Sequence, residues 1–152
     1  MGESFTKKTS FADLWSEIQP LVTVDNSGTD QSLPAITIAN RPKGVQRAIM
    51  IFKYRAIEDN SGAENKLVGD QVMQASLDGF TTPVDAISLP DSAIDVAASA
   101  KEGGDVIMGD LDIKDALPAN GDPMDFKWAL AKCTAASLLF HDVQVGVRFY
   151  YI

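Results

Sequence analysis

The chain has 152 residues, of which 45% are hydrophobic and 22% charged, and its formal net charge is −8. This composition is typical of one folded domain, and it excludes a largely disordered protein. The pI near 4.5 excludes a surface that is basic throughout. We predict a single soluble domain over residues 1–152. It lacks the apolar core of a signal peptide and any run near the roughly 20 apolar residues of a membrane span. A single cysteine fits a reducing compartment, the cytoplasm or the interior of a virion.

The N-terminal part predicts a short helix followed by short strands. Ser10 is a suitable N-cap. Apolar residues then recur at the spacing of one helical face: Phe11, Leu14, Trp15 and Ile18. Pro20 ends the helix. Short strands are predicted over 21–24 and 35–39, separated by the polar loop 25–30.

The segment from Val45 to Ile57 is the clearest strand of the sequence. Its even positions are apolar without interruption, which predicts a face directed to the core. Its odd positions are apolar in the middle and cationic towards both ends. Further strands are predicted over 71–75, 84–89 and 105–113, and a short helix from Ser92 to about Ala100.

The C-terminal part predicts a long helix and then a strand. Asp122 and Pro123 form a typical helix start, and one face of the following segment is apolar: Phe126, Leu130, Cys133, Ala136 and Phe140. We therefore predict a helix from Pro123 through Phe140 that packs on the sheet. The final strand, 143–152, is apolar on alternate positions, which favours a central place in a sheet or burial against another subunit.

Charge is distributed asymmetrically along the chain. Residues 31–57 contain five basic and no acidic residues, whereas residues 67–125 contain twelve acidic and two basic ones. We predict two partner-binding surfaces of opposite sign. The basic surface comprises Arg41, Lys43, Arg47, Lys53 and Arg55. The acidic surface comprises Asp105, Asp110, Asp112 and Asp115. In a neighbouring copy, the second surface is expected to receive the first.

Catalytic signatures are absent from the sequence. It contains no phosphate-binding loop, no dinucleotide fingerprint, no Gly-x-Ser-x-Gly, no His-Glu-x-x-His and no Cys-x-x-Cys. Cys133 and His141 could form a nucleophilic pair, but their places on an apolar helix face and at a helix end favour structural roles. The aspartates between 105 and 125 could hold Ca²⁺ or Mg²⁺, although they do not match an EF-hand loop. A solvated acidic face is the simpler interpretation, so no catalytic residue, metal or cofactor is predicted.

These features predict an α+β domain with an antiparallel sheet or sandwich and the C-terminal-region helix packed on it. A jelly-roll-like sandwich with helical insertions is the alternative. The predicted function is that of a non-enzymatic structural protein that forms homo-oligomers, such as a viral or phage coat or matrix component. Two alternatives stay open: a nucleic-acid-associated accessory protein that uses the basic strand, and a metal-assisted hydrolase built on the aspartate cluster.

Overall fold

A computed structural model describes residues 10–37, 45–111 and 122–151, and these residues are all-β. Their strands are β1 (Ser10–Trp15), β2 (Gln19–Asp25), β3 (Thr29–Thr37), β4 (Val45–Asp59), β5 (Asn65–Lys66), β6 (Gln71–Ser76), β7 (Val84–Leu89), β8 (Asp95–Val96), β9 (Lys101–Asp110), β10 (Pro123–Ala131) and β11 (Ser137–Tyr151). The predicted α+β class is therefore wrong, because no described residue is helical. Accordingly, nothing in this part of the chain forms a helix that would extend across a bilayer.

The strands form two antiparallel sheets that share one core. Sheet I has the order β1-β11-β4-β9, and β2 continues along the edge of β11 that β1 occupies. Sheet II has the order β3-β10-β6-β7, and β5 pairs with β8 in a separate ribbon. With β1 and β2 taken as one interrupted strand, this is the strand order of a jelly roll. The helical insertions expected in the jelly-roll alternative are not found among the described residues.

The helix predicted from Pro123 through Phe140 is instead two strands in different sheets, β10 and the start of β11. Buried side chains alternate along β10 with the period of a strand, at Met124, Phe126 and Trp128. Leu130, placed on the core face of the predicted helix, lies at a register shift with φ 47° and is 67% exposed. The helical spacing was therefore coincidental.

The two shorter helices are also wrong. Residues after Ser10 form β1 and β2, and Phe11 and Ile18 are each 57% exposed instead of sharing a buried helix face. The segment from Ser92 to Ala100 consists of turns around the two-residue strand β8. Apolar residues at helical spacing here belong to strands and turns.

The two long predicted strands are confirmed. β4 extends from Val45 to Asp59, and its even positions from Ala48 to Ala56 are buried. β11 lies between β1 or β2 on one side and β4 on the other, so it is central in sheet I, as its apolar pattern favoured. Strands β6 and β7 coincide closely with the predicted segments 71–75 and 84–89.

Aromatic side chains from both sheets meet in the middle of the core. Phe52 and Phe140 come from sheet I, Trp128 comes from sheet II, and all three are fully buried. Their rings meet edge to face, with centroids 5.9 Å apart for Phe52 and Trp128 and 5.3 Å apart for Trp128 and Phe140. The indole N–H of Trp128 donates to Gln71 Oε1, so its polar atom is satisfied.

Ser16 occupies the interruption between β1 and β2. Its backbone N–H donates to the carbonyl of Val145, and its hydroxyl accepts the N–H of Val145 at 3.0 Å. The Gln144 side chain donates to the Ser16 carbonyl. The side chain therefore supplies an acceptor for a β11 N–H at the point where the edge strand is interrupted.

Asp59 connects three loops at one end of the sandwich. Its carboxylate accepts hydrogen bonds from the hydroxyl and N–H of Ser61, the N–H of Ser99 and the amide of buried Asn65. Asn65 also donates to carbonyls within residues 135–137. These hydrogen bonds, that of the Ser61 hydroxyl above all, hold the pKa of Asp59 well below its usual range.

The edges of the two sheets approach closely where β9 meets β7. A Cβ on Gly109 would lie 2.1 Å from the carbonyl oxygen of Ala86 and 2.9 Å from Cα of Ile87. Both neighbours are backbone, so only glycine fits at this position.

Candidate interaction face

The side of sheet I that faces away from sheet II is called the outer face below. Even positions of β4 enter the core, so the odd positions from 47 to 55 lie on the outer face. Strand register adds the following residues to this face: Phe11, Asp13 and Trp15 of β1, Gly146, Arg148 and Tyr150 of β11, and Val106, Met108 and Asp110 of β9.

Arg47 and Asp110 join the predicted basic and acidic segments within one chain. Strand β4 pairs with β9, and an Arg47 guanidinium nitrogen lies 2.7 Å from Asp110 Oδ1. The two side chains are 59% and 69% exposed, so the pair contributes only about 0–1 kcal/mol to stability. The two segments of opposite charge are neighbours in the same sheet, and part of their charge is balanced internally.

Arg148 lies at the centre of a second pair on the outer face. Its Nε and one terminal nitrogen donate to the two carboxylate oxygens of Asp13, at 2.8 and 3.0 Å. Its guanidinium also lies 4.5 Å from the ring centroid of Phe11. Hydrogen bonding to Asp13, and secondarily to Tyr150, raises the pKa of Arg148. This arginine is therefore held in a fixed place between a carboxylate and an aromatic ring.

The ring of Trp15 lies on the backbone of Gly146. A Cβ on Gly146 would stand 2.6 Å from two ring carbons of Trp15, so the ring occupies the space that a side chain would fill. Lys53 Nζ lies 4.5 Å from the ring centroid, within cation–π range. Ile51, next to Gly146 in the register, is 1% exposed although it is on the outer side of β4. Side chains of the outer face therefore cover it.

The outer face also has uncovered apolar side chains. Seven large hydrophobic residues of the described chain are exposed, and four of them are on this face: Phe11 (57%), Trp15 (40%), Val106 (48%) and Met108 (52%). Ile18 and Leu21 belong to the β1–β2 edge of the same sheet, and only Leu130 belongs to sheet II. Exposed apolar surface is thus concentrated on sheet I.

The described members of the predicted basic surface are on the outer face, but each has a local partner. Arg47 pairs with Asp110, Lys53 lies over Trp15, and Arg55 Nε donates to Asp142. Arg41 and Lys43 lie outside the described residues. The described cations are therefore interspersed with carboxylates and aromatic rings, and they do not form a uniform basic stripe for a phosphate backbone.

The described members of the predicted acidic surface are on opposite sides of β9. Asp110 pairs with Ile49 and is on the outer face, whereas Asp105 pairs with Tyr54 and shares the inward side. Asp112 and Asp115 lie outside the described residues. Within residues 10–37, 45–111 and 122–151, no three Asp, Glu, His or Cys side chains are grouped to hold a metal ion.

Cys133 and His141 have separate environments. Cys133 is fully buried, as predicted, and its thiol donates to the Val24 carbonyl. Burial raises the pKa of this thiol, which is the opposite of nucleophile activation. His141 Nε2 lies 2.9 Å from Glu58 Oε1 in sheet I. His141 is in the middle of β11, so its predicted role at a helix end is wrong.

The sequence analysis missed the residues that give the outer face its character: Phe11, Trp15, Arg148, Tyr150 and Gly146. Phe11 and Trp15 had been attributed to a buried helix face. Their outward position would have been recognisable only from a strand interpretation of residues 10–15, in which Phe11, Asp13 and Trp15 share one side.

Comparisons with known proteins give no family for this chain. No protein-family model matches it, and no curated protein matches it. Among solved structures, it is similar to the xylan-binding module CBM15 (12% identity, TM-score 0.47, 93% of this chain and 97% of that one). It is also similar to Eiger TNF from S. frugiperda (9% identity, TM-score 0.46, 93% and 92%). The STIV MCP matches at 12% identity and TM-score 0.45, over 96% of this chain and 49% of that one. At these values the similarities carry no argument about function.

Proposed function

We propose that this protein is a non-enzymatic structural component that assembles with copies of itself through the outer face of sheet I. The observation that carries the proposal is the concentration of exposed apolar residues on that face, with Phe11, Trp15, Val106 and Met108 at 40–57% exposure. Burying such side chains supplies most of the affinity in protein–protein contacts. A coat or matrix component of a virus or phage, acting within the virion or the cytoplasm, is the specific form of this role that we propose.

The dimensions of the outer face support a stable contact. Strands β4 and β11 have 15 residues each. At about 3.3 Å per residue and about 4.8 Å between four strands, the sheet covers roughly 50 by 19 Å. This area of about 900 Å² is comparable to the roughly 800 Å² that each partner buries in a standard interface.

The charges of the outer face favour a second copy as the partner. Cations and anions alternate on it as the pairs Arg47–Asp110, Arg148–Asp13 and Arg55–Asp142. A face with one sign of charge would fit an oppositely charged partner. A balanced face can instead meet its own copy across a twofold axis, with each arginine placed near a carboxylate of the other chain.

The test is the molar mass in solution, measured by size-exclusion chromatography with light scattering from about 1 to 500 µM, a range that spans micromolar affinities. We expect a mass above that of one chain, rising with concentration. The variant Phe11→Ser with Met108→Ser removes two exposed apolar side chains and should lower the mass towards the monomer. Leu130→Ser removes a comparably exposed side chain from sheet II and is the matched control, which should assemble normally.

Two results would contradict the proposal. One is a monomer at every concentration. The other is assembly that the Phe11 and Met108 substitutions leave unchanged while the Leu130 substitution weakens it, which would move the contact to sheet II. Sedimentation velocity of the same variants separates a closed dimer from larger particles, because only an additional contact between copies allows growth beyond two chains.

A further inference from the structure

A cleft opens between the two sheets at the edge formed by β7 and β9. It has a volume of about 400 Å³ and lies next to the turn that leads to β8. Its walls are largely apolar and include Ile57, Leu89, Ile94 and Ile107. Leu89 is 2% and Ile57 is 2% exposed, so these walls continue directly into the core. The cleft is separate from the outer face, which is on the other side of sheet I.

Three carboxylates surround the opening of this cleft. Asp95, Glu102 and Asp105 line it, and no lysine or arginine is among its described lining residues. Two of these carboxylates point inward by register. Asp105 pairs with Tyr54 and Glu102 pairs with Ile57, and both partners belong to the core cluster. Residues paired across antiparallel strands share one side of the sheet, so the two carboxylates face the interior edge of the cleft.

The hydroxyl of Tyr54 is the polar group inside the cleft. Tyr54 lines it and is only 9% exposed, yet its hydroxyl donates no hydrogen bond to a described residue. Burial, followed by the charges of Asp105 and Glu102, raises the pKa of Tyr54 to about 12. Buried tyrosine hydroxyls usually have a partner, so this one is available to a ligand.

We propose that this cleft binds an organic ammonium ion, that is, an alkyl chain bearing a protonated amine. The apolar walls bury the hydrocarbon part. The ammonium group lies between Asp105 and Glu102, where opposite charge is uncompensated, and the Tyr54 hydroxyl accepts one of its hydrogen bonds. Inward-pointing carboxylates on an edge strand also discourage pairing with other chains, but that role alone leaves the Tyr54 hydroxyl without a partner.

Isothermal titration calorimetry with n-hexylammonium chloride at fixed ionic strength tests the proposal. 1-Hexanol is the uncharged probe of the same length. We expect saturable binding of n-hexylammonium and at least about tenfold weaker binding of 1-hexanol, because the alcohol lacks the charge that the carboxylates recognise. Asp105→Asn with Glu102→Gln should weaken n-hexylammonium binding about tenfold. Tyr54→Phe, which keeps the ring in the core, should weaken it about threefold or more.

The matched control is Glu17→Gln, which removes one exposed carboxylate from the connection between β1 and β2, outside the cleft. It should leave binding unchanged. Circular dichroism melting of each variant verifies the fold, and the comparison of the two probes on the unaltered protein does not depend on any variant. Equal binding of 1-hexanol would overturn the proposal, as would equal weakening by Glu17→Gln or no saturable heat up to about 10 mM, the weak end of specific affinities.

A free amine and a lysine side chain of a second copy share this chemistry. Light scattering with and without saturating n-hexylammonium distinguishes them. If the amine dissociates an oligomer, the cleft holds a lysine of the second copy. If the mass is unchanged while the heat of binding persists, the cleft holds a free amine. Loss of self-assembly in the outer-face variants with intact amine binding would show that the two sites are independent.

Discussion

Replacing Gly146 by alanine should place a methyl group where the ring of Trp15 lies. The new Cβ would stand 2.6 Å from Cε3 and Cζ3 of the ring and 3.0 Å from Cη2. Contacts between carbon atoms are most favourable at about 3.5–4.0 Å, so the ring must lift from the sheet by about 1 Å. The substitution therefore perturbs one contact of the outer face without removing any atom.

The size of the effect follows from the area that Trp15 covers. The side chain is 40% exposed, so roughly 120 Å² of a maximum near 200 Å² is covered, which is about 3 kcal/mol at 25 cal/mol per Å². Lifting the ring forfeits a third to a half of that contact, about 1–1.5 kcal/mol. Alanine in a strand gains about 0.5–1 kcal/mol over glycine. The net loss in the unaltered background is then about 0.5 kcal/mol.

A double-mutant cycle isolates the contact. In a Trp15→Ala background the ring is gone, and Gly146→Ala should raise the free energy of unfolding by about 0.5–1 kcal/mol. The free energies come from urea unfolding at one protein concentration. Gly103→Ala is the control, because a Cβ there meets nothing within 4 Å, and it should behave alike in both backgrounds.

The reasoning fails if Gly146→Ala changes the free energy of unfolding equally, within about 0.3 kcal/mol, in the two backgrounds. That result would mean that the ring of Trp15 does not lie on Gly146. The outer face would then have a different arrangement of Trp15 and Lys53.

Four further predictions concern the interior and the loops. Ser16→Ala should cost about 1–3 kcal/mol in urea unfolding, because it leaves a β11 N–H without its acceptor. Gly109→Val should cost about 3 kcal/mol or more by the same measurement, since its Cβ would overlap backbone atoms of β7. Because the folded pKa of Asp59 lies below the unfolded value near 4, its ionised form stabilises the fold above that pH, and this contribution is lost as the pH falls through the folded pKa. Asp59→Asn should therefore be less stable at pH 7 and lose less stability between about pH 4 and pH 2, unless the loop hydrogen bonds are absent. Cys133 should react slowly with a thiol reagent in the native protein and rapidly in urea, and fast native labelling would contradict its burial.

Strands with a strict period of two were predictable from the sequence. In β4 the even positions from 48 to 56 are uninterrupted apolar residues, and the buried side matches them. β11 was recognised for the same reason from Val143 onward. Its first part, 137–142, was assigned to a helix, because its apolar period changes phase near Asp142, where φ is 53°.

The false helix over 123–140 has a physical explanation. Positive φ values occur at Leu130 and Ala136, which are not glycines. No local sequence signal marks such positions. Each shifts the alternation of the neighbouring strands, so residues from two strands fell by chance at helical spacing. The charge pairs were equally inaccessible, because Arg47 and Asp110 are 63 positions apart and meet only through the register of β4 and β9.

The central place of β11 in sheet I has a consequence for how the molecule acquires its structure. β11 is the last strand in chain order, and it separates β1 and β2 from β4. During synthesis, strands from the beginning of the chain must wait with unpaired edges until residues up to 151 have left the ribosome. Contacts between such distant segments form slowly, and waiting edges are prone to aggregate. We therefore expect slow folding after release, with a higher yield at lower rates of expression.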